Sequence, residues 1–86
     1  MARVFLARSA RDALAELDFL RADAVLDALE VLERDPRAGY ALRGRLAGLW
    51  SYRVGVHRVI HELRDARTVR VVAIRHRGQA YDMDPR

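Results

Sequence analysis

The 86-residue chain has room for one small domain, read as residues 1–86, with a modest core whose stability a partner can add to. Its composition is 51% hydrophobic and 33% charged, which is globular, and the absence of cysteine excludes a disulfide framework and a thiolate zinc site. The formal net charge is +4, and all 16 basic residues are arginine.

Residues 2–8 read as a short strand in which Val4 and Leu6 alternate with Arg3 and Phe5. Ser9 is a suitable helix N-cap, and Asp12 favours the positive end of that helix. Ala10, Ala13, Leu14 and Leu17 recur at helical spacing, so the helix is expected to run to about Phe19. A short turn over Asp18–Ala22 then leads into a second helix with Ala22, Val25, Leu26, Leu29 and Leu32 on one stripe. Asp35-Pro36 ends it, because proline disfavours a helical residue before it. Residues 36–48, punctuated by Pro36, Gly39, Gly44 and Gly48, read as irregular.

From residue 49 the periodicity changes to two. Gly55-Val56 fits a two-residue type II′ hairpin turn, which wants glycine first. That turn sets Val54 opposite His57, Arg53 opposite Arg58, Tyr52 opposite Val59, Ser51 opposite Ile60 and Trp50 opposite His61. The next connection sets Leu63 opposite Val69, Glu62 opposite Arg70, Ile60 opposite Val72 and Val59 opposite Ala73. One face then carries Trp50, Tyr52, Val54, Val59, His61, Leu63, Val69, Val71 and Ala73, and should pack on the helix pair. The other carries Ser51, Arg53, Arg58, Ile60, Glu62, Arg70, Val72 and Ile74. No element is left to cover it, so it is expected to be open. The expected fold is α+β: a strand, a two-helix hairpin and a three-stranded antiparallel meander, in one mainly antiparallel four-stranded sheet.

Charge is distributed unevenly. Residues 1–35 hold 5 Arg and 8 Asp or Glu, a net of −3, and residues 36–86 hold 11 Arg and 4 Asp or Glu, a net of +7. A basic face of this kind is the footprint of a nucleic-acid site. Directly opposed like charges destabilise a sheet, so the Arg53–Arg58 pair reads either as holding an anion between them or as two solvated side chains splayed apart. Arginine grips a phosphate with a planar fork and keeps its charge, so it clamps rather than transfers protons. The segment Arg75 to Tyr81 supplies titratable groups: His76 is a candidate acid or base, and Tyr81 can stack on a base or share in proton transfer. His57 reads as a solvated turn residue, and His61, opposite Trp50, as a hydrogen-bonded core residue. The histidines have no ligand spacing, so no metal or cofactor is expected. No run is long enough to cross a bilayer, and Met1–Arg8 has only a short apolar run closed by arginine, so the expected compartment is the cytoplasm.

Taken together, Leu42-Arg43-Gly44, Gly48-Leu49-Trp50-Ser51-Tyr52-Arg53-Val54-Gly55, His57-Arg58-Val59-Ile60-His61-Glu62 and His76-Arg77 followed by Tyr81 resemble the RelE/ParE toxin superfamily of bacterial type II toxin–antitoxin systems. The opening strand and the Ser9-Ala10-Arg11-Asp12 helix start fit as well. For the RelE branch the resemblance implies a ribosome-dependent mRNA interferase that inhibits translation. The ribose 2′-hydroxyl attacks the adjacent phosphate without a metal. By position it implies catalytic roles for Arg53, Arg58 and Arg77, which bind the scissile phosphate, and for Tyr81, with His76 beside it as an acid–base candidate. Arg43, Arg45, Ser51, Arg70 and Arg75 complete the expected RNA contact. RelE members often carry lysines where Ser51 and Arg53 stand, so proton transfer passes to His76 or Tyr81. The ParE branch implies instead an inhibitor of DNA gyrase acting by protein–protein contact. A third reading is a remnant that only binds its antitoxin and DNA. A cognate antitoxin is the implied partner in each, with ribosome and mRNA as the target in the first.

Overall fold

In a computed structural model, described over residues 1–76, the chain forms one five-stranded sheet with two helices on one side. The elements are β1 (Arg3–Leu6), α1 (Arg8–Ala15), α2 (Phe19–Arg34), β2 (Tyr40–Ala41), a short 3₁₀ turn (Gly44–Leu46), β3 (Leu49–Val54), β4 (His57–Asp65) and β5 (Thr68–His76). The strand order is β1-β5-β4-β3-β2. β1 runs parallel to β5, and the other pairs are antiparallel.

The α+β class is as expected, but the sheet has a fifth strand and is mixed. β1 is parallel to β5, a pairing between strands separated in sequence by the helix pair and the rest of the sheet rather than by a hairpin. The fifth strand is β2, inside the stretch read as irregular. It is two residues long, too short for an alternation to show.

The helix boundaries also differ from expectation. α1 starts at Arg8 with Ala7 at its N-cap and no side-chain cap, and it stops at Ala15. Asp18 is the residue that starts a helix: its carboxylate accepts from the Arg21 backbone N–H at 2.9 Å, so α2 begins at Phe19. Leu26 is 48% exposed, while Val25, Ala28 and Leu32 are buried. Steps of three and four residues keep a stripe on one helix face, and Leu26 lies off that stripe.

The β3–β4 register is the expected one at every pair from Trp50–His61 to Val54–His57. Gly55 has φ +61 and Val56 is not left-handed, as the II′ turn requires. In β4–β5, Leu63–Val69 and Glu62–Arg70 also match. Beyond His61–Val71, however, a bulge intervenes: Ile60 pairs with Ala73 and Val59 with Ile74, leaving Val72 as the extra residue. The bulge moves Ile74 into the core and Ala73 onto the opposite face, the reverse of the expected assignment.

The core lies between sheet and helices. Val59, Val69, Val71 and Ile74 pack with Ala10, Val25 and Leu32, with Val4, Leu6, Leu14, Leu17 and Leu29 around them. His61 is fully buried on this face, as expected of a core histidine. Its Nδ1 lies 3.3 Å from the Val59 carbonyl and its Nε2 3.2 Å from the Pro36 carbonyl. A neutral ring has one N–H and donates to one of these. Burial holds the His61 pKa below its usual value.

Candidate nucleic-acid interface

The face away from the helices is organised in rows. Arg53 is opposite Arg58, and Arg58 is opposite Arg75. Three arginines therefore stand side by side on three adjacent strands, across roughly 10 Å at the usual strand spacing. Arg75 reaches this row because of the bulge at Val72. Without the extra residue Ile74 would face Arg58, and Arg75 would point to the helix side.

The next row is Tyr40, Ser51, Ile60 and Ala73. Ser51 and Ile60 are fully buried and Ala73 nearly so, whereas an open face was expected. Their neighbours along the strands are long: Leu49 and Arg53 flank Ser51, and Arg58 and Glu62 flank Ile60. Long charged side chains cover such a floor with their stems while the charged heads stay in water. Among the described residues the hydroxyl of Ser51 and the Nε atoms of Arg58 and Arg75 are buried and make no hydrogen bond. Buried polar groups in folded proteins are as a rule paired, and these three lie on the same face as the arginine row. Arg53 donates from Nε to its neighbour carbonyl at Gly55, 3.3 Å away, and is exposed.

In the third row Leu49, Glu62, Arg70 and Phe5 are aligned. Arg70 pairs with Glu62 at 3.3 Å, so its charge is partly neutralised within the fold. Arg43 and Arg45 are exposed on the 3₁₀ turn between β2 and β3. Arg77 and Tyr81 lie outside the described residues.

His76 sits one residue beyond Arg75, and strand alternation sends it to the other face. There it meets His57 edge to face, with ring centroids 5.8 Å apart. Partial burial, and then the neighbouring His76, lower the His57 pKa. The histidines thus belong to the helix side of the sheet, and the arginine row to the other. Among the described residues no three His, Cys, Asp or Glu side chains come together to hold a metal.

A concavity of about 390 Å³ opens on the helix side between the start of α2 and the β3–β4 hairpin. Leu20, Ala24, Val54 and Val56 line it, with Asp18, Arg21 and His57 at its rim. Phe19 beside it is 80% exposed and Leu20 78%. It is an apolar surface separate from the arginine row.

The sequence model for the "ParE toxin of type II toxin-antitoxin system, parDE" matches residues 4–81. The chain belongs to the ParE toxin family. It is thereby a type II toxin of the RelE/ParE superfamily. Among solved structures, the RelBE2 toxin–antitoxin complex from Mycobacterium tuberculosis contains a chain 34% identical, covering 88% of this chain and 98% of that one, with a TM-score of 0.79. The archaeal RelE–RelB complex from Pyrococcus horikoshii matches at 23% identity over 92% and 98% of the two chains, with a TM-score of 0.72. The YoeB–YefM complex from Staphylococcus aureus matches at 14% identity over 88% and 97%, also with a TM-score of 0.72. The last two likenesses concern the fold alone. No curated protein matches. Within this ParE-family chain, Tyr40 is the residue of the arginine face that the sequence reading missed. Its signal was a glycine before an aromatic, Gly39-Tyr40, in a stretch otherwise read as irregular.

Proposed function

We propose that this toxin is an mRNA interferase that binds the RNA backbone on its arginine face and inhibits translation on the ribosome. The observation that carries the reading is the Arg53–Arg58–Arg75 row over the buried Ser51 hydroxyl, a cationic floor built at the cost of like-charge repulsion. The likeness to a RelBE2 toxin chain supports the same branch.

In this reading Arg53, Arg58 and Arg75 bind the non-bridging oxygens of one phosphate and stabilise the extra charge of the transition state. The adjacent 2′-hydroxyl oxygen attacks phosphorus and gives its proton to a base. The bond to the 5′-oxygen breaks, that oxygen takes a proton, and a 2′,3′-cyclic phosphate remains. Arg77 extends the clamp. The proton carriers are His76 and Tyr81, of which His76 must reach around the end of β5 to act. Ser51, Arg43, Arg45 and Arg70 contact the flanking RNA. The protein partner is a cognate antitoxin, whose acidic segment neutralises the row and covers the site.

The test is cleavage of mRNA on translating ribosomes. Wild-type protein should cut, and Arg58→Met should lower the rate about 10- to 100-fold, the range expected for losing charge-assisted hydrogen bonds. Intact mRNA at every toxin concentration would sink the reading.

A second reading, inhibition of DNA gyrase by protein–protein contact, is favoured by two observations. The matching family is that of ParE, and the exposed Phe19, Leu20 and Val56 form an apolar surface suited to a protein rather than a nucleic acid. Supercoiling assays separate the two, because only this reading predicts inhibition. That inhibition should vanish in Leu20→Asp and persist in Arg58→Met.

A further inference from the structure

The arginine row ends, at the β2 edge, beside an exposed aromatic ring. β2 is held there by a close backbone approach. Gly39 has φ +91, and a Cβ at this position would lie 2.1 Å from the Ser51 carbonyl oxygen. Only glycine permits that approach. The next residue, Tyr40, is directly opposite Ser51, so its ring stands on the face that carries Arg53, Arg58 and Arg75, and it is 47% exposed. Arg53 is two residues along β3 from Ser51. Diagonal neighbours of this kind sit roughly 7–8 Å apart, within reach of long side chains. Ser51, directly beside the ring, is fully buried, and Ile60 and Ala73 continue its row beneath the arginines' stems.

A phosphate held by the row carries a sugar and a base, and the base needs a surface. A flat ring at the end of a cationic row provides one, because every nucleobase has a π-face. We propose that Tyr40 is a base-stacking residue, which seats the nucleobase attached to the phosphate held at Arg53 and makes the site selective for single-stranded nucleic acid. A duplex keeps its bases stacked inside and cannot offer one to the ring. The inference rests on the RNA-binding reading of the arginine face, and it adds a specificity residue to it.

The test is fluorescence anisotropy of the full-length toxin with a short single-stranded RNA, the same backbone with abasic positions, and a duplex. Wild type should bind the base-bearing single strand most tightly. Tyr40→Ala should lower that affinity about 5- to 100-fold, the span of one base–aromatic stack, and leave the abasic affinity unchanged. Tyr40→Phe should retain wild-type affinity, since the ring does the work. Thermal melting of each variant shows that it is folded. If Arg58→Met weakens binding while Tyr40→Ala does not, Tyr40 has no part in the site and the phosphate reading stands. If Tyr40→Ala weakens base-bearing and abasic strands equally, or weakens only binding to the antitoxin, the stacking role is overturned. If wild type binds none of the three strands, the stacking inference is overturned, while cleavage of mRNA on translating ribosomes decides the RNA reading separately.

Discussion

On the helix side of the sheet, Val59, Val69, Val71 and Ile74 are buried against Val25 and Leu32; on the other side the same strands set Arg53, Arg58 and Arg75 in a row. One face is held by apolar burial, the main favourable term in folding. The other concentrates like charge and, among the described residues, leaves buried polar atoms without a hydrogen bond. A stable fold tolerates the second only because the first supplies its stability. The faces should therefore respond to substitution in opposite ways: loss of side chain should hurt folding on one and binding on the other.

The largest effect is expected in the core. Leu32 is fully buried in α2. Leu32→Ala should destabilise by about 2–5 kcal/mol, a large part of the 5–15 kcal/mol that holds a typical domain together. Chemical denaturation would measure it. A loss under about 1 kcal/mol would mean that α2 is not a main support of the sheet.

Acidification acts on the helix side too. Burial lowers the pKa of His61 from 6.5, and partial burial lowers that of His57 from the same value. Below 6.5 the unfolded chain then binds protons that the folded chain refuses, so folding loses stability. The contribution is complete above 6.5 and shrinks as pH falls from there toward the lowered values. Melting temperature should drop from about pH 7.5 to about pH 5, where histidine titrates. His57→Gln should keep most of the drop, since His61 is the more deeply buried. A flat profile would show that His61 keeps its ordinary affinity for protons in the core.

The helix side was also the more legible in sequence. The Gly55-Val56 turn has one geometry that suits a hairpin, and it fixed every pair of β3–β4. His61 was readable as a core residue from its position opposite Trp50. The arginine side was legible in part. Arg53 and Arg58 follow from the same turn, but Arg75 does not, because its place depends on the bulge at Val72. An extra residue among Val71, Val72 and Ala73 leaves no mark on an apolar run. Separation of His76 from the row has the same cause, since one inserted residue flips everything after it. Tyr40 was missed because a two-residue strand has no period; its position is set by contact with Ser51 rather than by local preference.

The smallest expected change in stability sharpens the contrast most. Arg58 stands between Arg53 and Arg75, and its Nε is buried without a hydrogen bond among the described residues. Methionine keeps an unbranched stem to cover Ile60 while removing the charge and the unpaired donor. Arg58→Met should therefore leave stability unchanged or raise it by up to about 1 kcal/mol, from relief of repulsion and of the unmade hydrogen bond. The same variant should lose much of its affinity for single-stranded RNA. A residue kept for folding would show the reverse, with stability falling and binding following only through the unfolded fraction. Denaturation and anisotropy on the one variant decide between them. A loss of more than about 1 kcal/mol would place Arg58 in the scaffold and take from the arginine row its standing as a binding surface.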